Sequence, residues 1–248
     1  MIKIIKILVV LTFTFIIGLP TIHAQVHMRG SGSSVFNCFS LGLNGGIDQY
    51  RGDYHAFRSA LRDLDYKLGY GFSLEYTFNN EYVSNTLSNI FDKRLSLFFG
   101  VKKMKASSNK IDEGDVMSMD ILEFSGMLRV NIFKYSSVKT MNDGGMPFSP
   151  YVEAGMGYTG FKCENINDYN HGMKGGYADN EYLFRPVVII GWGVKYNLAK
   201  GVTAGLDGSY RFVFTDEIDH LTDRSERNDQ YYYIGAELMF NLGEIFSR

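Results

Sequence analysis

Beyond its first 25 residues the chain has no stretch of 18 consecutive apolar residues, so no helix in it can span the hydrocarbon core of a bilayer. It has only two cysteines, Cys38 and Cys163, and neither has a Cys or His neighbour at metal-ligand spacing. It has no surplus of positive charge. With the first 24 residues set aside, 23 basic residues stand against 27 acidic ones, which gives no electrostatic reason to expect nucleic acid as a partner. It also lacks the short catalytic signatures: there is no Gly-x-Ser-x-Gly elbow, no His-Glu-x-x-His and no phosphate-cradling glycine loop. Ser and His are scattered without a base–nucleophile pairing. The reading is of a protein that is not an enzyme, with no catalytic residues, no cofactor and no metal. A site built from distant strands would leave no such signature, so an outer-membrane enzyme stays open as an alternative.

What is present begins with the leading segment. Met1-Ile2-Lys3-Ile4-Ile5-Lys6 is a short basic region, Ile7 to Leu19 is an apolar run of 13 residues, and Pro20 breaks it ahead of Ile22-His23-Ala24. This pattern predicts a secretory signal peptide over 1–24, cut between Ala24 and Gln25. The alternative, an uncleaved anchor, needs about 20 apolar residues. Gln25 stands where a lipoprotein signal would carry Cys. Residues 25–248 are expected to form one all-β domain. Its two cysteines could pair in an oxidising envelope, but they fall at opposite ends of the topology derived below and are read as free thiols.

Glycine and aromatics are abundant, with 27 Gly, 17 Tyr and 19 Phe, which suits strands girdled by rings and joined by turns. The dominant period is two. Eight segments alternate: Val35–Tyr50, Tyr66–Phe78, Lys93–Lys103, Ser118–Phe133, Pro150–Phe161, Phe184–Leu198, Val202–Thr215 and Gln230–Leu242. In the second, Leu68, Tyr70, Phe72, Leu74, Tyr76 and Phe78 alternate with Lys67, Gly69, Gly71, Ser73, Glu75 and Thr77. In the sixth, Val188, Ile190, Trp192, Val194, Tyr196 and Leu198 oppose Gly191, Gly193, Lys195 and Asn197. Segments of this length can cross a bilayer as tilted strands, and closure into a barrel satisfies every backbone group in lipid. The fold class expected is all-β: an eight-stranded antiparallel transmembrane β-barrel of outer-membrane type, placed in the cell outer membrane with its lipid as surroundings.

The polar faces carry a balanced set of ionisable residues: Glu75, Glu123, Glu153, Asp207 and Glu237 against Arg94, Lys102, Arg129, Lys195 and Arg211. Inside about eight strands, side chains fill the lumen, and buried charges must be paired. A plugged, salt-bridged interior is therefore preferred to a proton or ion path. The rival fold is a soluble eight-stranded barrel of lipocalin type, with the apolar faces turned inward onto a ligand. Periodicity does not separate the two; the aromatic richness of the apolar faces and the unequal loops favour the membrane.

With the N-terminus in the periplasm, the loops Arg51–Asp65, Met104–Met117, Cys163–Tyr182 and Asp216–Asp229 face outward. Of the opposite turns, Ala199-Lys200 is tight, while Asn79–Asp92 and Lys134–Phe148 are long enough to offer periplasmic contact surfaces; Asp143-Gly144-Gly145 in the latter is turn chemistry. The carboxylate-rich Asp216-Glu217-Ile218-Asp219-His220 with Asp223 and the stretch Asn167–Gly172 hold oxygens that calcium accepts, but neither matches a defined loop motif, and solvated loop is the preferred reading. Arg51-Gly52-Asp53 spells an adhesion tripeptide of a length that arises by chance.

Two stretches have a family likeness. Gly45-Gly46-Ile47-Asp48-Gln49-Tyr50-Arg51-Gly52-Asp53 ends a first strand in Tyr-x-Gly-Asp. Gly191-Trp192-Gly193-Val194-Lys195-Tyr196-Asn197-Leu198 is followed by a strand ending Tyr210-Arg211-Phe212-Val213-Phe214-Thr215-Asp216-Glu217-Ile218-Asp219. Together they resemble the PorG-like outer-membrane barrels of Bacteroidetes. The sharp motifs span about 30 residues; the strand order extends the likeness over most of the chain. The resemblance implies an outer-membrane barrel, in some members an accessory of type IX protein secretion that contacts a periplasmic ring of lipoprotein and partner. His220-Leu221-Thr222-Asp223 departs from that pattern, and the chain continues from Gly243 to Arg248 where an aromatic end would be the simple assembly signal.

Overall fold

In an extended chain successive side chains point to opposite faces, so a sequence that alternates apolar and polar residues makes a sheet with two unlike sides. Eight such strands here roll up until the first meets the last. The computed structural model describes residues 35–51, 67–78, 91, 93–109, 116–134, 146–164, 182–214 and 230–246. The strands are β1 (Phe39–Arg51), β2 (Lys67–Thr77), β3 (Leu95–Asn109), β4 (Val116–Asn131), β5 (Phe148–Glu164), β6 (Leu183–Ala199), β7 (Val202–Val213) and β8 (Gln230–Asn241). They form a closed antiparallel barrel in sequence order, sealed by the β1–β8 ladder that runs from Ser40↔Asn241 to Arg51↔Gln230. The expected fold class holds. The predicted signal peptide, residues 25–34, and the Asp216–Asp223, Asn167–Gly172 and Asp143–Gly145 stretches lie outside the described residues.

The faces are the reverse of a soluble barrel. Leu43, Phe72, Phe124, Met156, Ile190, Trp192, Leu206 and Ile234 all lie exposed on the outer wall, while Glu75, Glu123, Arg129, Lys195, Arg211 and Glu237 lie buried inside. An apolar band running round the whole wall exceeds what a water-borne surface carries, and it is what a lipid-facing wall requires. Ring clusters flank the band. Phe39, Tyr76 and Phe78 group near the end that holds the chain termini; Tyr210, Phe212 and Tyr232 group near the opposite, loop end. The lipocalin-type alternative is excluded by this orientation, and the protein is an outer-membrane barrel.

Three boundaries differ from the sequence reading. Val35–Cys38 is a short 3₁₀ turn, so the first strand starts at Phe39. The stretch read as the loop Met104–Met117 is mostly strand, because β3 and β4 continue as a hairpin paired to Asn109↔Val116. After Asn241 the chain turns into a short helix, α1 (Leu242–Phe246). This helix folds back on the 3₁₀ turn: the Asn241 side-chain amide donates to the Asn37 carbonyl at 2.8 Å, and Lys200 meets Glu244 at 3.0 Å. The tight turn joining β6 and β7 is made by Lys200 and Gly201. Gly201 sits at φ 73°, a left-handed conformation that glycine adopts without steric cost.

Candidate functional site: the barrel lumen

Nine of the ten ionisable residues placed on the polar faces are buried inside the barrel: Glu75, Lys102, Glu123, Arg129, Glu153, Lys195, Asp207, Arg211 and Glu237. Arg94 is a correction: it is exposed. The alternation predicted an inward Arg94, but β3 begins one residue later, at Leu95. Lys93 adopts φ 56° in the turn before it, which resets the alternation, so Lys93 takes the buried place and Arg94 faces solvent.

The buried charges form two layers. The layer nearer the termini centres on Arg129 of β4. Its Nε donates to Glu153 Oε2 at 3.0 Å, and its Nη1 donates to Glu75 Oε2 at 3.1 Å and Glu237 Oε1 at 2.8 Å. One guanidinium thus ties β4 to β5, β2 and β8. Its flat faces lie between the rings of Phe98, 4.3 Å from the centroid, and Tyr151, 4.2 Å away. Lys195 of β6 donates to the second oxygen of Glu75. Arginine suits this place because its fork of donors can serve several acceptors while its faces stack on rings.

The second layer centres on Arg211 of β7. Nε and Nη2 hold the two oxygens of Glu123 at 2.6 and 3.2 Å, a bidentate pair, and Nη1 donates to the Ser209 hydroxyl at 2.8 Å. The Tyr231 hydroxyl donates to Glu123 Oε2 at 2.8 Å. With its one proton so used, it accepts from Thr159 Oγ1 at 2.9 Å. Lys102 of β3 reaches Asp207 at 3.8 Å and lies 3.7 Å from the centroid of the Tyr233 ring.

Glycines make the room for these crossings. Tyr151 lies over Gly193 of β6, and Tyr233 lies over Gly46 and Gly235; a methyl at any of the three would collide with the ring. Above the charged layers, toward the loop end, the lumen turns apolar: Met104, Met119, Ile121, Phe161, Val187, Ile189 and Val213 are buried together with Tyr231. The sequence reading expected polar inner faces throughout and missed this part. It also left Asp48 out of the set of interior charges. Asp48 is buried, and neither of its carboxylate oxygens has a hydrogen-bond partner.

Among the described residues no group of three His, Cys, Asp or Glu side chains is arranged to hold a metal. Cys38 is buried at the termini end, and Cys163 falls near the loop end of β5, opposite Met119. The lumen as built can lock strands together.

No curated protein matches the chain in sequence. In fold it is similar to several solved outer-membrane barrels. Neisserial surface protein A has 12% identity and a TM-score of 0.48, over 86% of this chain and 99% of that one. OprG of Pseudomonas aeruginosa has 13% identity and a TM-score of 0.42, over 82% and 96%. Ail of Yersinia pestis, solved with the heparin analogue sucrose octasulfate, has 12% identity and a TM-score of 0.41, over 82% and 97%. A family model described as a domain of unknown function, DUF6089, matches residues 101–242, more than half of the sequence, and the chain belongs to that family.

Proposed function

We propose that this protein is a non-catalytic outer-membrane barrel that serves as an envelope anchor and protein-interaction component. One observation carries the reading: the lumen is closed by its own side chains. Arg129, Arg211, Tyr151, Tyr231, Tyr233 and Phe98 are among the largest fully buried side chains, and all project inward. Across the loop-end half lies an apolar plug, which water and ions cross only at high cost. A barrel so filled acts through its rims. Four connections stand at the loop end. At the termini end the connections before β3 and before β5 are far longer than the two-residue Lys200-Gly201 turn, and they offer surfaces for a periplasmic partner.

The finer form of the proposal is an accessory role in type IX secretion, with periplasmic ring proteins as partners and no nucleic acid. It rests on the resemblance of the Gly45–Asp53 and Gly191–Asp219 stretches to PorG-like barrels. A cross-linked pull-down of a tagged copy from purified outer membranes tests it. Recovery of periplasmic ring or translocon proteins, with cargo export impaired on deletion, is the expected result. Recovery of the inserted barrel alone, with export unchanged in a host that has the system, would sink the secretion role. Planar bilayers test the coarser form. The closed lumen predicts no single-channel steps, and a steady unitary conductance would move the reading to a small channel.

A further inference from the structure

Among the described side chains of the strands, the outer wall carries charge in one place. Outward positions on β1, β2, β6, β7 and β8 hold apolar, aromatic, glycine or amide side chains wherever the side chain is described. The charged outward residues among the described side chains are Lys103 and Lys105 on β3, Asp120 on β4 and Lys162 on β5. All four fall at the loop end of three adjacent strands. The register makes them one patch: Lys105 pairs with Asp120, and Asp120 pairs with Lys162, so the three form a row across the sheet. Lys103 lies two residues below Lys105, between Tyr70 and Leu122.

The patch begins where the apolar band ends. On β3 the outward run Leu95, Leu97, Phe99, Val101 leads directly to Lys103. On β4 Leu122 is followed outward by Asp120, and on β5 Tyr158 and Gly160 precede Lys162. Lysine stems lie along apolar surface while the ammonium reaches for the polar boundary. That boundary is where lipid headgroups sit, and there a cation near the surface favours anionic lipid. Asp120 is nearly buried and holds Lys105 at 3.3 Å, so it orders that ammonium at the edge of the patch. With strands about 4.8 Å apart and residues about 3.4 Å apart along them, the row spans roughly 10 Å, the width of a single headgroup rather than of a protein interface.

We propose that Lys103, Lys105 and Lys162, ordered by Asp120, bind the phosphate of a phosphorylated glycolipid in the outer leaflet, on the wall formed by β3–β5. Charge complementarity and continuity with the lipid-facing band both point to a lipid occupant, and the loop end places it in the outward leaflet. A bound headgroup there would fix the barrel's lateral surroundings on one side and leave the opposite wall to ordinary acyl chains.

The test uses the full chain refolded in neutral detergent and titrated with lipid A, dephosphorylated lipid A and phosphatidylglycerol, with bound lipid read by native mass spectrometry. Lipid A is expected to be retained above both others, and retention is expected to fall with salt. In K103M/K105M/K162M, which keeps the stems and removes the charges, apparent affinity for lipid A should drop about tenfold or more. Equal retention of the phosphorylated and dephosphorylated forms by the wild type would overturn the proposal and needs no variant. So would phosphatidylglycerol binding as tightly as lipid A, or competition by millimolar inorganic phosphate, since either would name a different source of phosphate. A triple variant that shows the heat-modifiable gel shift of a folded barrel and still retains lipid A would overturn it as well.

Discussion

Arg129 is the side chain on which most of the lumen depends. It is 1% exposed and holds Glu75, Glu153 and Glu237 together. Replacing it with methionine leaves three buried carboxylates facing one another with only Lys195 beside them. Removing one partner of a buried ion pair costs about 3–5 kcal/mol, and Arg129→Met is expected to cost at least that much in urea unfolding of the refolded barrel. Arg129→Lys is expected to recover little of the loss, because an ammonium cannot hold three acceptors in the guanidinium's plane or stack between Phe98 and Tyr151. Arg94→Met is the matched control. Arg94 is exposed in a turn, and the change is expected to fall within about 0.5 kcal/mol. A large loss for Arg94→Met, or a negligible one for Arg129→Met, would contradict the arrangement of charges described above.

At the scale of the strand, the lumenal rings of Tyr151 and Tyr233 each rest on a glycine of a neighbouring strand, Gly193 and Gly46. Tyr151 on β5 pairs with Gly193 on β6, lies over it, and forms one wall of the Arg129 stack. Gly193→Val therefore forces the ring aside and loosens the guanidinium. Overpacking of this kind costs about 1–3 kcal/mol. Tyr151→Phe should be close to neutral, because the ring does the packing and the hydroxyl has no hydrogen-bond partner; unfolding midpoints of the two variants in one detergent give the comparison. The strands themselves were legible in the sequence because period two leaves a strong mark wherever one face meets lipid and the other meets charge, as in Leu68–Phe78. Legibility failed where that contrast vanished. Val187-Val188-Ile189-Ile190 is apolar on both faces, so the inward Val187 and Ile189 of the loop-end plug could not be told from the outward Val188 and Ile190. Met104–Asn109 has the opposite fault: past Met104 it is small or polar throughout, and it read as loop although it pairs as strand. Arg94 was misplaced by a single left-handed residue, a backbone event that side-chain periodicity does not record. The triple grip of Arg129 joins residues 54, 24 and 108 positions away, and only closure of the barrel brings them together.

For the whole molecule, the decisive property is that its outside is apolar and its inside is charged, and the sequence supplies a natural reporter of it. Trp192 is the only tryptophan of the chain. It stands on the outer wall of β6, 66% exposed, between Ile190 and Val194 along the strand and opposite Val152 of β5. If the band round the barrel is immersed in hydrocarbon, Trp192 emits from lipid. In vesicles whose acyl chains carry bromine, its fluorescence is expected to be strongly quenched, and aqueous iodide is expected to have little effect. The quenching should be strongest with bromine near the middle of the acyl chain, since Trp192 lies between the two ring clusters and within neither. The lumenal ion pairs contribute nothing to this signal, so Arg129→Met that still folds should quench as the wild type does. Emission open to iodide and indifferent to bromine would mean that the wall of β6 faces water, and the membrane placement of the barrel would have to be abandoned.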